Sequence, residues 1–436
     1  MSVQLETGDF ERAKALVDLR RFRDALPLFQ RSVAGEPGSA ERWCWLSLCL
    51  SRLDLDEQAK DAAERAIELD PDWEWPHRLR ALALSGLGRS DATAAGREAV
   101  RNAPQRAVTH AQASFIATKV GAPDEALVEA DEAVRLDPEH DPGWAAKGWA
   151  EMVLGRFEEA EESYLNALRL APNESMWHNN YGVVLLSLGR HDDAATSFRT
   201  ALEINPANGY ADRNLARAVG FAGDLEASAK IHRHASENRL RRCDQALALA
   251  PHDPVGLAAR AGMLAQFGRG QEARSEIARA VRRGGSTARV RALQAVVFEV
   301  LGERERAKTA LLKAVRLDPG NGMHLINLAR VYLRLGMARE CRRIVDRLAL
   351  SHTSPATQFE GRGYAAAVAG KWDEAIAALT HAVTLRPLDC CAHAWLGVAR
   401  LESQDWTAAE WCLRRVRAIY PQCLSVDVLE HRLGDP

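Results

Sequence analysis

The sequence predicts an all-α fold, a solenoid of antiparallel helix pairs built from about twelve similar units. Three observations predict it: prolines recur at a fixed interval, each interval holds two amphipathic helical patterns, and small residues recur at one position of each pattern. With 436 residues, 47% of them hydrophobic and 27% charged, the chain has the composition of a folded protein and the length of a repeat array.

The prolines set the period. They stand at Pro37, Pro71, Pro104, Pro138, Pro172 and Pro206, which are 33 or 34 residues apart. The series continues at Pro251, Pro319, Pro387 and Pro421. Two of these gaps are twice as long, and Gly285 and Thr353 stand where the period would place a proline. A fixed interval of this size is typical of stacked structural repeats.

Residues 141–172 show how one unit is built. A first helical pattern covers 144–154 and ends at Gly155, because glycine readily stops a helix. A second pattern covers 157–170 and has one apolar face. Pro172 then prevents the second helix from continuing into the next unit. The unit is therefore predicted to be a helix, a tight turn and a helix.

Small residues mark where the two helices of each unit cross. The first helices carry Ser47, Ala81, Ser114, Gly148, Gly182, Ala216, Ala261, Ala295, Ala329, Gly363 and Gly397. The second helices carry Ala25, Ala59, Ala92, Ala126, Ala160, Ala194, Ser228, Ala273, Ala307, Cys341, Ala375 and Ala409. Helices approach to about 8 Å only where the side chains at the crossing are small. A leucine at Gly148 is therefore expected to overpack its pair by roughly 1–3 kcal/mol.

These residues resemble the tetratricopeptide repeat family, whose pattern is W-x2-L-G-x2-Y, A-x3-F and P. The matching residues are Trp144, Gly148, Ala160, Tyr164 and Pro172 in one unit, Tyr181, Gly182, Ala194, Phe198 and Pro206 in the next, and Trp43, Leu46, Ala59 and Pro71 near the start. The resemblance covers about residues 6–421 and implies that the helix pairs form a right-handed superhelical solenoid. The third unit departs from it by being one residue short, and the eighth and tenth lack the closing proline.

The seventh unit is eleven residues too long, and the excess lies near 236–246 in its second helix. The sequence thus predicts an N-terminal array over 1–251 with about seven repeats, a C-terminal array over 252–421 with about five, and a capping helix over 422–436. Eleven residues make almost three helical turns, so one long helix would keep its phase, whereas the polar run at 236–239 favours a kink. Both alternatives leave the two arrays able to fold after the eleven residues are deleted.

No catalytic, cofactor or metal site is predicted. The sequence contains no HExxH, GxSxG or GxxxxGK[ST] motif, and its histidines and cysteines lack zinc spacing. The eight cysteines include no CxxC pair and are interpreted as reduced thiols, several on buried helix faces. No secretory signal or membrane span is apparent, so the expected location is the cytoplasm, and the alanine- and arginine-rich composition is typical of a bacterium.

The net charge of −2 hides an asymmetry between the two ends. Through residue 222 there are 25 basic and 36 acidic residues, and from 223 onward there are 32 and 23. Five basic residues cluster around the insertion: Lys230, Arg233, Arg239, Arg241 and Arg242. The basic C-terminal half that includes them is an alternative binding surface for an anionic polymer such as RNA, or its charges simply solvate helix faces. Nucleic acid is the weaker alternative because aromatic residues for base stacking are nearly absent there.

The resemblance implies that the first helices line a concave groove where partners bind. Directly after the small residue of successive first helices comes an apolar ladder of Leu48, Leu82, Phe115, Trp149 and Val183. Phe115 and Trp149 are candidate anchors for a partner's helix or extended segment. The alternative is that tight curvature buries these side chains against one another.

Asparagine and arginine residues continue this inner face beyond the ladder. Asn180, Asn214 and Asn327 share one register position, and Arg217 and Arg330 share another. Asparagine can both donate to and accept from a peptide backbone, although these residues also suit an ordinary polar surface. Overall we expect a non-catalytic scaffold that binds another protein or peptide, or alternatively a regulatory subunit of an enzyme or transcription factor.

Overall fold

The predicted units are present as pairs of antiparallel helices. The computed structural model describes residues 2–19, 21–53, 55–87, 89, 91–206, 208–284, 287–351, 353–420, 423, 429–430 and 433, with side chains from residue 8 onward. In these residues the helices are α1 Ser2–Asp18, α2 Phe22–Gly35, α3 Ala40–Arg52, α4 Asp56–Leu69, α5 Glu74–Gly86, α6 Ala92–Asn102, α7 Ala107–Val120, α8 Pro123–Leu136, α9 Asp141–Val153, α10 Phe157–Leu170, α11 Ser175–Ser187, α12 His191–Ile204, α13 Ala211–Phe221, α14 Leu225–Leu249, α15 Pro254–Gln266, α16 Gly270–Gly284, α17 Ala288–Val300, α18 Arg304–Leu317, α19 Gly322–Arg334, α20 Ala338–Ala349, α21 Pro355–Val368, α22 Trp372–Leu385, α23 Cys390–Glu402 and α24 Trp406–Ile419. Each odd-numbered helix is the first helix of a unit and the next even-numbered helix is its second. The predicted all-α solenoid of about twelve units is confirmed.

Each pair packs at the small residues that the sequence predicts. In the second helices every residue at this position, from Ala25 to Ala409, is fully buried. In the first helices the glycines leave little space: a Cβ atom at Gly148 would lie 2.9 Å from the ring of Tyr164, and one at Gly182 would lie 2.6 Å from the ring of Phe198. A larger side chain at either position would therefore push the two helices apart.

A hydrogen bond to the closing proline recurs along the array. The proline carbonyl oxygen accepts a ring N–H from the residue six positions later, at 2.7 to 3.0 Å, in the pairs Pro37–Trp43, Pro71–His77, Pro104–His110, Pro138–Trp144, Pro172–His178 and Pro387–His393. The bond ties the loop between two units to the first helix of the second unit. It gives His178 and His393 a structural role, as the sequence suggests.

The first helices lie on the inside of the curve. Neighbouring first helices approach within 8 Å between Cα atoms along much of the array, most extensively α7 and α9, whereas no two consecutive second helices of the described part contact each other to that extent. A solenoid curves toward the side where its helices crowd together. The inner face is therefore formed by the odd-numbered helices.

The seventh unit contains one long helix. Helix α14 runs without interruption through 25 residues, so the eleven extra residues extend it and introduce no break at 236–239. The polar run there is accommodated because Asn238 donates a hydrogen bond to Asp212 of α13 at 3.4 Å. Of the two alternatives left by the sequence, the continuous helix is the one present.

The last unit packs back onto the seventh. Helix α24 lies directly against α13, and a Cβ atom on Gly220 of α13 would come within 3.0 Å of the carbonyl oxygen of Ala418. The rings of His232 on α14 and Tyr420 after α24 meet edge to face at 5.8 Å. Units seven to twelve thus close on themselves, and we call them the ring.

Units one to six form a superhelical turn, which we call the turn and which lies against this ring. Arg289 of α17 pairs with Asp56 at the start of α4 at 3.3 Å. Leu87, just after α5, packs into the apolar core formed by α15 to α17, and Leu388, just before α23, packs against the core formed by α11 to α13. Each contact joins segments that are far apart in sequence, so two superhelical turns are stacked.

The C-terminal segment is described only in part. Of the capping helix predicted over 422–436, residues Leu424 and Val428 lie outside the described residues, and Leu429 is buried against Gly397 and Cys412. Arg417 forms an ion pair with Glu430 at 2.7 Å. Within the described ranges, no helix combines the length and apolar character needed to span a membrane.

Candidate functional site

The predicted apolar ladder lies on the inner face of units two to six. Its members, Leu48, Leu82, Phe115, Trp149 and Val183, are all half-buried. The ring centroids of Phe115 and Trp149 are 5.5 Å apart, and Trp177 stacks on Phe115 at 6.3 Å. Tight curvature at α7 and α9 therefore makes neighbouring rings cover one another in part, while Phe115 and Trp149 keep some of their surface in solvent. We call Phe115, Trp149 and Trp177 the aromatic cluster.

The aromatic cluster is held by packing and by one polar contact. The indole N–H of Trp177 donates to Asp141 at 2.8 Å, which fixes this ring at the start of α9. Trp149 follows Gly148, where α9 lies closest to the ring of Tyr164. A rigid aromatic surface of this kind loses little side-chain entropy when a partner covers it. Further along the inner face, Leu82 lines a cavity of about 590 Å³ between the turn and the ring.

The first group of polar residues predicted to touch a ligand is joined by hydrogen bonds. The Asn179 side-chain amide donates to Asn180 at 3.0 Å, and the Asn214 amide donates to Asn179 at 2.9 Å. Arg217 donates to the Asn214 side chain at 3.0 Å and to the backbone carbonyl of Ile419 at 3.3 Å. Asn214 is buried, so in this group Asn180 and Arg217 are the members that keep some exposure.

Inside the ring, Arg330 fills the position that the ladder occupies in earlier units. Its guanidinium donates to Asn327 at 3.0 Å and to the Sγ atom of Cys391 at 3.4 Å, and it pairs with Glu299 at 3.5 Å. The charge of Arg330 is thus compensated within the chain. Asn327 and Arg330 stabilise the ring interior, and their contact with a partner stays a prediction.

The basic residues of the insertion lie on helix α14. Lys230, Arg233, Arg239, Arg241 and Arg242 are all exposed. Lys230 pairs with Glu226 at 2.7 Å, and Arg241 donates to Asn238. Arg239 instead reaches a pocket between α13, α14, α15 and the residue after α24.

This pocket has a volume of about 200 Å³ and carries positive charge. We call it the arginine pocket and define it by Arg213, Arg217, His232, Arg239 and Tyr420. Burial, together with the nearby charges of Arg239 and Arg217, lowers the pKa of Arg213 to about 10. Burial and the same kind of repulsion, from Arg217 and Arg213, lower the pKa of His232 to about 4.

Sequence reasoning missed Arg213, His232 and Tyr420 because three separate segments contribute them. One signal was present in the sequence: Arg213 and Arg217 are one helical turn apart, and neither has an acidic residue three or four positions away. On a helix those positions are where a compensating carboxylate would normally stand.

The buried His232 should make the contact between units seven and twelve sensitive to acid. The native state holds His232 neutral, with a pKa near 4, whereas an unfolded histidine titrates near 6.5. Between these values the unfolded chain binds more protons, so stability falls as the pH falls through this window. Between pH 7 and 4.5 this histidine should lower the unfolding free energy of the wild type by about 2 kcal/mol. His232→Gln should not show this part of the decrease.

Urea unfolding at several pH values checks this prediction. His234→Gln, at an exposed position on the same helix, is the matched control and should retain the wild-type pH dependence. Parallel pH profiles for wild type and His232→Gln would contradict a neutral, desolvated imidazole at the closure.

Three cysteines come together beside the arginine pocket. The Sγ atoms of Cys390, Cys391 and Cys423 lie within 4.8 Å of one another. Three thiolates are suitable ligands for a soft ion such as zinc or copper(I). No metal site is predicted from the sequence, because Cys423 stands about one repeat after Cys391, and the packing of α23 against α24 is what brings it to the adjacent pair. The signal available was that pair itself, Cys390 followed directly by Cys391.

Comparisons with solved structures find similar repeat arrays. TTC0263, a TPR protein of Thermus thermophilus, shares 23% identity over 49% of this chain and 98% of its own, with a TM-score of 0.32. Yeast Tom70 shares 14% identity over 99% of this chain and 96% of its own, with a TM-score of 0.37. YrrB, a TPR protein with an unusual peptide-binding site, shares 18% identity over 53% of this chain and 97% of its own, with a TM-score of 0.27. None of the three superposes closely on the whole array.

Comparison with curated proteins finds no match. Family models give direct matches. One tetratricopeptide repeat model matches residues 10–74, 145–209 and 361–422, and a second matches 288–321. These segments together span about half of the chain, and each coincides with helix pairs of the structure. The chain therefore belongs to the tetratricopeptide repeat family.

Proposed function

We propose that the protein is a non-catalytic scaffold of the cytoplasm that binds a partner protein or peptide along the inner face of units two to six. Tetratricopeptide repeat proteins are in general protein-interaction scaffolds. The observation that carries the proposal is the aromatic cluster, which presents partly exposed rings of Phe115 and Trp149 on the concave side. Tryptophan is among the residues that most often dominate binding energy at interfaces.

The remaining ladder residues and Asn180 would complete this surface. Leu48, Leu82 and Val183 extend the apolar strip to either side of the aromatic cluster, and Asn180 offers an amide to a partner's backbone. A partner helix with apolar residues on one face, or an extended apolar segment, fits such a strip. In the part of the chain that the structure describes, no disulfide joins any of the eight cysteines, which fits a reducing compartment.

In the alternative of a regulatory subunit, the partner is an enzyme or a transcription factor that binds the same surface, and binding changes its activity. The anionic-polymer alternative receives less support from the geometry. Among the arginines of the insertion, Arg239 points toward a pocket of about 200 Å³, which suits one small anionic group better than a nucleic-acid strand.

Photo-crosslinking from defined positions tests the inner face. A benzophenone amino acid at Trp149 should capture a specific partner in cells, whereas the same group at Leu165, an exposed residue on the outer helix α10, should not. Trp149→Ala and Phe115→Ala should each weaken binding of the captured partner at least tenfold in a purified system, as expected for loss of about 1.4 kcal/mol or more.

Circular dichroism distinguishes a lost contact from a lost fold in both alanine variants. Equal crosslinking from positions 149 and 165, or unchanged partner affinity of both alanine variants, would contradict binding at the inner face of units two to six.

A further inference from the structure

The arginine pocket is a concentration of charge that the chain does not neutralise. Its wall is formed by α13 and the preceding Gly209, by α14, by Met263 and Gln266 of α15, and by Tyr420 after α24. None of its lining residues carries a carboxylate. Among the described residues, no acidic side chain lies within 4.0 Å of the guanidinium groups of Arg213, Arg217 or Arg239.

The contacts that these arginines do make are electrically neutral. Arg217 donates to a backbone carbonyl and to an asparagine side chain. Arg213 stacks on the ring of Tyr210 with its central carbon 5.5 Å from the ring centroid. Burying cations without a counter-charge is costly, and the lowered pKa of Arg213 reflects that cost. Arg213 and Arg217 are half-buried, the exposed Arg239 adds a third positive charge, and no carboxylate lines the space that the three share.

A second feature of the pocket points independently to a ligand. The Nε2 atom of His232 is buried and has no hydrogen-bond partner, and the residue is only 7% exposed. Buried ring nitrogens are normally satisfied. A neutral imidazole can place its proton on Nε2 and donate to an acceptor in the pocket.

We propose that the arginine pocket binds a single oxyanionic group, a phosphate or a carboxylate, that accepts hydrogen bonds from Arg213, Arg239 and His232. Arginine is suited to this role because its planar group offers paired donors to such anions. About 200 Å³ corresponds to the space of roughly six or seven water molecules, enough for one such group with part of its hydration. The site is separate from the aromatic cluster and does not depend on partner binding there.

The position of the pocket gives the anion a structural consequence. Arg213 and His232 belong to unit seven, whereas Tyr420 follows the last helix of unit twelve. An anion between them reduces the repulsion among the arginines at the junction where the ring closes. Binding should therefore stabilise the closed ring by mass action.

The test uses the full-length protein and three probes: inorganic phosphate, acetate, and a short peptide with one phosphoserine. Thermal unfolding and titration calorimetry are compared with sodium chloride at matched ionic strength, which controls for screening. Phosphate should raise the melting temperature more than chloride does. If the phosphopeptide binds at least tenfold more tightly than phosphate, the natural group is carried by a partner, and equal affinity indicates a free anion.

Arg239→Gln and Arg213→Gln should reduce phosphate affinity at least tenfold. Arg233→Gln, on the same helix but outside the pocket, is the matched control and should bind as wild type does. Without phosphate, Arg239→Gln should be as stable as wild type or more stable, because repulsion is removed, so lost binding will not reflect lost folding. Equal stabilisation by chloride and phosphate, or equal binding by the Arg233 and Arg239 variants, would overturn the proposal.

Discussion

Gly182→Leu is expected to destabilise the protein by about 3 kcal/mol, near the upper end of overpacking effects. A Cβ atom there would lie 2.6 Å from Cε1 of Phe198. Phe198 is fully buried, so its ring cannot rotate away without opening the pair of α11 and α12. Chemical unfolding followed by circular dichroism at 222 nm measures the loss.

Gly182→Ala, which also places a Cβ atom 2.6 Å from Phe198, should destabilise the protein as well, and Gly262→Ala is its matched control. Gly262 lies in first helix α15, directly after the small residue Ala261, and no atom outside its own helix backbone would lie within 4 Å of the new Cβ. Alanine should therefore stabilise the helix by roughly 0.5–1 kcal/mol. Adding Phe198→Leu to Gly182→Ala should restore part of the unfolding free energy that Gly182→Ala loses, because leucine leaves room for the new Cβ atom. An equal change in unfolding free energy for Gly182→Ala and Gly262→Ala would show that α11 and α12 do not cross tightly at Gly182.

Deleting residues 236–246 should open the ring while leaving the helix pairs intact. Helix α14 would lose about 16 Å of length but would turn by only about 20° relative to its present phase. Units eight to twelve would then be displaced along the helix axis relative to α13. The contact of α24 with α13 would then be lost. The ion pair of Asp244 with Arg260, now 2.6 Å, would also be absent, because Asp244 is itself deleted.

Small-angle scattering and urea unfolding test this deletion. The radius of gyration should increase, helical content should fall only by the deleted turns, and unfolding should separate into two transitions. Replacing the same eleven residues with an alanine- and glutamate-rich helix of equal length is the control, and it should preserve the compact shape. Collapse of the whole array after the deletion would contradict the division into arrays over 1–251 and 252–421, and an unchanged scattering curve would contradict closure through α14.

The unit structure could be predicted from the sequence because local patterns determine it. The proline interval, the buried alanines from Ala25 to Ala409 and the glycines at the crossings all act within one unit or between neighbours. The place of the insertion followed from the same register, since Ser228 before it and Ala273 after it occupy equivalent buried positions. Each of these inferences needed only contacts between residues close in sequence.

The closure could not be predicted in this way. It depends on contacts such as Arg217 with Ile419 and Asp56 with Arg289, which join residues about 200 positions apart. Small rotations between units accumulate along a solenoid, so the pattern of one unit does not determine which distant units meet. The arginine pocket was missed for the same reason. The cysteine group was missed for a different one, because Cys423 lies about one repeat after Cys390 and Cys391, without the spacing of a zinc motif. The exposure of Trp149 depended on how tightly α7 and α9 curve.

The contact of α24 with α13 also determines how the molecule can respond to force. An open solenoid behaves like a spring, because each unit can rotate slightly and the small rotations add to a graded extension. In the closed ring those rotations are coupled, since any one of them must be compensated by the other units. The C-terminal half should therefore be stiff until α24 detaches and compliant afterwards, which gives it two mechanical states instead of a continuous range.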